Sequence, residues 1–161
     1  MYNKQCVKCP PGRHNYKGNC ASCAKGQYAK TLESSSCTFC LAGQFQPLDV
    51  ASEYACKVCE RGQTSQEGAS QCHLCLPGRY GDVAGISACK ACERGTYSDA
   101  GPGQISIVVC KSCASGKYSD ANAGQVAEST CKACQVGKYS TSGPKQTFSS
   151  VCKACVHGMY S

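Results

Sequence analysis

Every cysteine in this chain belongs to a Cys-x-x-Cys pair. The nine pairs stand at 6/9, 20/23, 37/40, 56/59, 72/75, 89/92, 110/113, 131/134 and 152/155. Their first cysteines are 14, 17, 19, 16, 17, 21, 21 and 21 residues apart. A glycine follows the second cysteine by three residues in all nine copies: Gly12, Gly26, Gly43, Gly62, Gly78, Gly95, Gly116, Gly137 and Gly158. Two residues further on stands an aromatic in seven: Tyr28, Phe45, Tyr80, Tyr97, Tyr118, Tyr139 and Tyr160, with His14 and Thr64 as the exceptions. A period of this kind constrains the fold before any other reading, because each copy is one small unit that must satisfy itself against its neighbours.

The unit is Cys-x-x-Cys-x-x-Gly-x-Tyr followed by a variable loop. One array is expected, with repeats at 6–19, 20–36, 37–55, 56–71, 72–88, 89–109, 110–130, 131–151 and 152–161, the last cut short. Glycine at a fixed offset marks a backbone needing positive φ or two backbones in close approach. The aromatic is the one large apolar side chain per repeat, expected to cover the neighbouring cystine. "QISIVVC" alternates Ile105 and Ile107 around Ser106 and reads as a short strand. "SDAGPGQ" and "STSGPKQ" read as turns. No stretch has a helical period with caps. The expected fold is small and disulfide-rich: tandem hairpin and turn repeats in an elongated rod, with little or no helix and no central core. Its repeats are expected to contact only their neighbours.

Composition explains why sulfur is needed. Leu, Ile, Val and Phe together are 21 of 161 residues, about 13%, and there is no Trp. Cysteine is 18 of 161, about 11%, which is the composition of a covalently stapled scaffold. Glutathione keeps cytosolic thiols reduced, so such a chain is expected outside the cell or on its surface. The opening "MYNKQCVKC" has no apolar core of a secretion signal, and Ile105 to Val109 is too short to span a bilayer. Both ends read as cuts through a longer array, with the signal expected upstream.

Zinc is the competing chemistry. Two Cys-x-x-Cys pairs at these separations match zinc-ribbon spacing, and four thiolates suit tetrahedral zinc. Nine pairs is an odd number, so zinc would leave one pair over unless the array continues. Haem attachment is excluded, because no histidine follows any second cysteine. The ten carboxylates are scattered. Asp99 and Asp120 occupy the same slot after Tyr-Ser and read as turn-stabilising side chains rather than calcium ligands. His14, His73 and His157 lie in different slots and read as surface residues. No nucleophile, phosphate loop or cofactor motif stands out, so neither an enzyme nor a cofactor is expected. The net charge of +7 is compatible with solubility or with weak binding to acidic glycan, and its basic residues form no cluster that would call for nucleic acid.

The pattern, as in "CKACERGTYSDAG", resembles the tandem ephrin-receptor-like cysteine-rich repeat. It is also similar to the Cys-x-x-Gly-x-Tyr loop module of tumour-necrosis-factor receptors. The receptor module implies that each second cysteine pairs with the next cysteine along. That gives Cys9–Cys20, Cys23–Cys37, Cys40–Cys56, Cys59–Cys72, Cys75–Cys89, Cys92–Cys110, Cys113–Cys131 and Cys134–Cys152. Cys6 and Cys155 are left for a neighbouring segment or chain. Interleaved pairing, Cys6–Cys20 with Cys9–Cys23, is the alternative. The first and fourth repeats, with His14 and Thr64, depart from the family's aromatic. The resemblance implies an extracellular location. An array whose units contact only neighbours makes length and stiffness rather than a pocket, so the expected role is structural, a segment of a stalk, wall or filament, to which the resemblance adds a surface fibre such as a flagellar hair; its partners are neighbouring repeats or copies of itself. A receptor-like ectodomain binding an extracellular protein, and an intracellular zinc-binding module, are the other readings.

Overall fold

The computed structural model describes residues 8–48, 55–157 and 159. Cys6, Gly158 and Tyr160 lie outside the described residues. The chain divides into two compact units, Met1–His73 with Val83–Ala88, and Leu74–Asp82 with Cys89–Ser161.

Each of the first eight repeats begins with a turn that its glycine makes possible. In the third repeat the Gln44 amide donates to the Leu41 carbonyl at 2.9 Å. This closes a four-residue turn whose third residue, Gly43, has φ 83°. A type II turn needs positive φ at that position, and a side chain there meets the following carbonyl. In the fifth repeat the turn is Leu76-Pro77-Gly78-Arg79, with proline at the position where its fixed φ fits.

A two-residue strand leaves the turn and pairs with the residues inside the next Cys-x-x-Cys. In the first unit the strands are β1 (Arg13–Tyr16), β2 (Asn19–Ser22), β3 (Gln27–Tyr28), β4 (Thr38–Phe39), β5 (Gln44–Phe45), β6 (Lys57–Val58) and β7 (Gln63–Thr64). β8 (His73–Leu74) leads into the second unit, which holds β9 (Arg79–Tyr80), β10 (Lys90–Ala91), β11 (Thr96–Tyr97), β12 (Lys111–Ser112), β13 (Lys117–Tyr118), β14 (Lys132–Ala133), β15 (Lys138–Tyr139) and β16 (Lys153–Ala154). They form eight separate two-stranded sheets among the described residues. The register is constant: Tyr28 lies opposite Thr38, Phe45 opposite Lys57, Tyr80 opposite Lys90, Tyr97 opposite Lys111 and Tyr118 opposite Lys132. The hairpin β1–β2 is the longest. It turns through Lys17 and Gly18, both at positive φ, as a two-residue hairpin loop requires.

The segment "QISIVVC" does not form the expected strand. Ile107–Val109 is a single 3-10 turn. The Ser106 hydroxyl accepts from the Val108 amide at 3.4 Å, and the Cys110 amide returns to the Ile107 carbonyl at 2.9 Å. The Ser106 acceptor supports a turn that equivalent positions make without any side-chain cap, so the alternation of Ile105 and Ile107 does not decide the backbone here. Glu128–Thr130 and Ser149–Val151 make the same turn before Cys131 and Cys152.

Burial follows the sulfur. Cys23, Cys40 and Cys59 are buried in the first unit, and Cys75, Cys92 and Cys113 in the second. Beside them lie the small or polar residues that follow the aromatic slot: Ala29, Gln46 and Ser65, and then Ser98 and Ser119. The aromatics are less buried than one packing residue per repeat implies. Tyr80 is buried, Tyr28, Phe45, Tyr97 and Tyr118 are half-buried, and Tyr139 is exposed. The tight packing therefore belongs to cystines and small side chains, with the aromatic rings along its edge.

Candidate functional site: the junction between repeats

The recurring site is the junction where one repeat meets those that follow. Among the described residues there are eight disulfides: Cys9–Cys20, Cys23–Cys37, Cys40–Cys56, Cys59–Cys72, Cys75–Cys89, Cys92–Cys110, Cys113–Cys131 and Cys134–Cys152. Their Cα–Cα separations run from 5.4 to 5.8 Å, ordinary for a cystine. Each joins a second cysteine to the first cysteine of the next repeat, closing the loop that the hairpin spans. Backbone bonds seal the same junction: the amides of Cys40, Cys59, Cys92 and Cys113 donate to the carbonyls of Gly26, Gly43, Gly78 and Gly95. Cys155 carries a free thiol and is half-buried.

A second layer of contacts reaches further than the expected nearest neighbours. In the first unit the Gly68 amide donates to the Cys40 carbonyl, and the Gly85 amide to the Cys59 carbonyl, both at 2.8 Å. The same two loop glycines lie against the turn glycines one repeat earlier still. A Cβ on Gly26 would overlap the Gly68 carbonyl, and one on Gly43 the Gly85 carbonyl. The second unit repeats the arrangement, with Gly78 against Gly124 and Gly95 against Lys145. These four turn glycines are thus covered by the loop from two repeats ahead. The loop Val83–Ala88 belongs to the first unit for this reason. At Gly43 the positive φ and the backbone approach act together.

Side chains also pair across the junction on its outer surface. Lys90 Nζ lies 2.7 Å from Asp82, Lys111 Nζ 2.8 Å from Asp99 and Lys132 Nζ 2.7 Å from Asp120. Asp99 and Asp120 are therefore partners of the lysine in the next Cys-x-x-Cys, not only turn residues. The hydrogen bond from Lys111 holds the Asp99 carboxyl below the usual carboxylate range, and that from Lys132 does the same for Asp120. The lysines are raised in turn. The sequence contained the signal, an aspartate at one slot and a lysine at another in successive repeats. Reading each slot alone missed that the constant hairpin register brings the two together. Lys145 Nζ reaches Glu93 at 2.6 Å across two repeats, and its ammonium lowers the Glu93 carboxyl through hydrogen bonding.

The two irregular slots have specific contacts. Thr64 Oγ1 donates to the Ile86 carbonyl at 3.0 Å, so the hydroxyl ties down the loop that covers it. His14 is half-buried, and its Nδ1 lies 3.1 Å from Cys37 Sγ. The surface role expected for His14 is therefore incorrect: the hydrogen bonds of β1 and β2 seat the ring against a cystine. His73 and His157 are exposed.

Among the described residues no helix is long and apolar enough to cross a membrane. No curated protein matches the chain. The disulfides, together with the family match, point to an extracellular cysteine-rich module. Residues 62–103, which span parts of three repeats, match the family described as tyrosine-protein kinase ephrin type A/B receptor-like, and this stretch of the chain resembles the ephrin-receptor-like cysteine-rich repeat.

Proposed function

We propose that the nine cysteine repeats are the building units of a structural extracellular protein, a segment of a stalk, wall or filament at the cell surface. The observation that carries this reading is the recurrence of one junction. The same cystine, hairpin register, turn glycine and loop amide recur from repeat to repeat, and the Asp–Lys pair recurs at three successive junctions of the second unit. A surface built of near-equivalent junctions suits length and attachment to more of the same. In this reading Cys155 bonds a cysteine of a following segment or of a second chain.

The test is small-angle scattering of the oxidised chain together with non-reducing electrophoresis. A structural rod gives a radius of gyration clearly above the roughly 15 Å of a compact chain of this length. A value at the compact level, with no disulfide-linked oligomer formed through Cys155, overturns the proposal.

A receptor-like ectodomain is the second reading. The family match favours it, as do the exposed apolar side chains of Phe39, Leu41 and Val58 in the first unit. Loss of binding to an extracellular protein when these three become serine, with the disulfide pattern unchanged, would move it to first place.

A further inference from the structure

Among the described residues, one group of side chains brings three metal-ligating atoms together: His14, Cys23 and Cys37, all within 4.8 Å of one another. Two of the three are joined in the Cys23–Cys37 disulfide. We propose that they form a redox-gated site for a borderline-soft divalent cation, with zinc as the type. The site is closed while the cysteines share a cystine and opens when a dithiol reduces it.

The residue types and their placement carry the proposal. Imidazole nitrogen and thiolate sulfur are the ligands zinc prefers, and three protein ligands leave one position open. Bond lengths of about 2.3 Å to sulfur and 2.0–2.1 Å to nitrogen put ligand atoms roughly 3.6–3.8 Å apart in a tetrahedron. His14 Nδ1 already lies 3.1 Å from Cys37 Sγ, so it needs to retreat by only a few tenths of an ångström. The larger movement is the parting of the two sulfurs from bonding distance. His14 also stands in the slot where six of the other described repeats place Tyr or Phe, so the first repeat alone among the described ones offers an imidazole there.

Contacts other than the bond that opens also hold the backbone around the three residues. His14 lies on β1 opposite Ala21 of β2, two residues before Cys23. The Asn15 amide donates to the Ser34 carbonyl at 2.8 Å, three residues before Cys37. Thr38, directly after Cys37, pairs with Tyr28 in β3–β4. The bridges Cys9–Cys20 and Cys40–Cys56 close the loops on either side.

The chemistry balances with a dithiol as reductant. It transfers two electrons and two protons, the Cys23–Cys37 bond breaks, and the dithiol closes to its own disulfide. Cation binding then displaces the two thiol protons to solvent, leaving two thiolates and a neutral imidazole as ligands.

The experiment uses the full oxidised chain carrying Cys155→Ser, limiting dithiothreitol, and cobalt(II) as the probe. Alkylation followed by peptide mapping identifies which bridges have opened. The expected result is one cobalt per chain in which Cys23 and Cys37 are thiols, with thiolate-to-cobalt absorption in the near ultraviolet. The two cysteines then become protected from alkylation. His14→Tyr restores the aromatic of the other repeats and should weaken cobalt binding by at least about tenfold. Protection in the unsubstituted site does not depend on that variant folding. Three results would each overturn the proposal: no cobalt in chains with Cys23 and Cys37 reduced, equal affinity in His14→Tyr, or other bridges opening while Cys23–Cys37 stays intact.

Discussion

Lys145 of the eighth repeat reaches back to Glu93 of the sixth, Nζ to Oε2 at 2.6 Å. It does so from an unusual backbone. Lys145 has φ 65°, and its backbone amide donates to the Cys113 carbonyl as that of Gly124, one repeat earlier, donates to Cys92. A left-handed conformation costs a non-glycine residue roughly 1–2 kcal/mol. An exposed ion pair returns little, and salt screens it.

Lys145→Gly therefore tests which of the two effects wins. The expected outcome is an unchanged or raised thermal midpoint, because relief of the positive φ outweighs the lost pair. The Glu93 carboxyl should at the same time return toward its ordinary range, read by NMR titration. A clear fall in the midpoint that persists in high salt would show that the lysine contributes packing the ion-pair argument omits.

The Asp–Lys pairs give a pH dependence of definite sign. Asp99 and Asp120 are held below the usual carboxylate range by hydrogen bonds from Lys111 and Lys132. A folded-state pKa below the unfolded one adds stability that is fully present above the unfolded value and is lost as pH falls through the folded one. The thermal midpoint should thus hold steady near neutrality and decline only on acidification. Asp99→Asn with Asp120→Asn should flatten that decline. The effect should be small, since both carboxylates are solvent-facing, and a decline unchanged in the double variant would assign it elsewhere.

The short-hairpin, cystine-rich fold with little helix was legible in the sequence, because so few large apolar residues and so many evenly spaced cysteines admit few other solutions. The reach of the contacts was not. Nothing in a period of 14 to 21 residues says that Gly43 meets Gly85, since that contact depends on how successive hairpins rotate against one another. The 3-10 turn at Ile107–Val109 was hidden because its residues have strand-like side chains, while the same turn recurs before Cys131 and Cys152 without a side-chain cap and so belongs to the repeat rather than to Ser106. The contact of His14 with Cys37 was unreadable because the ring's position follows from the β1–β2 register and from the loop hydrogen bond at Asn15.

Cystine connectivity has a direct chemical test. Peptide mapping of the unreduced chain should recover Cys92–Cys110, Cys113–Cys131 and Cys134–Cys152. Finding Cys89–Cys110 together with Cys92–Cys113 would establish interleaving instead. Removing one bridge by Cys113→Ala with Cys131→Ala should cost about 3 kcal/mol in the loop-closure account, measured by denaturant unfolding.

Glycine substitution separates backbone conformation from backbone approach. Gly43 and Gly116 both have positive φ, 83° and 80°. Their surroundings differ. A Cβ on Gly43 would overlap the Gly85 carbonyl, whereas one on Gly116 meets only the Ser140 carbonyl at 3.6 Å, an ordinary contact. Gly116→Ala should carry the conformational penalty alone, about 1 kcal/mol, and still fold to the native bridge pattern. Gly43→Ala carries the same penalty and must also displace the loop around Gly85, whose amide bonds the Cys59 carbonyl. Its oxidative folding yield should fall well below that of Gly116→Ala, and amide exchange at Gly85 should quicken. Gly116→Val adds a β-branched side chain at positive φ and should impair folding where alanine does not. Equal yields for Gly43→Ala and Gly116→Ala would mean that the loop from two repeats ahead yields without cost, and that the second layer of contacts contributes little to holding the repeats together.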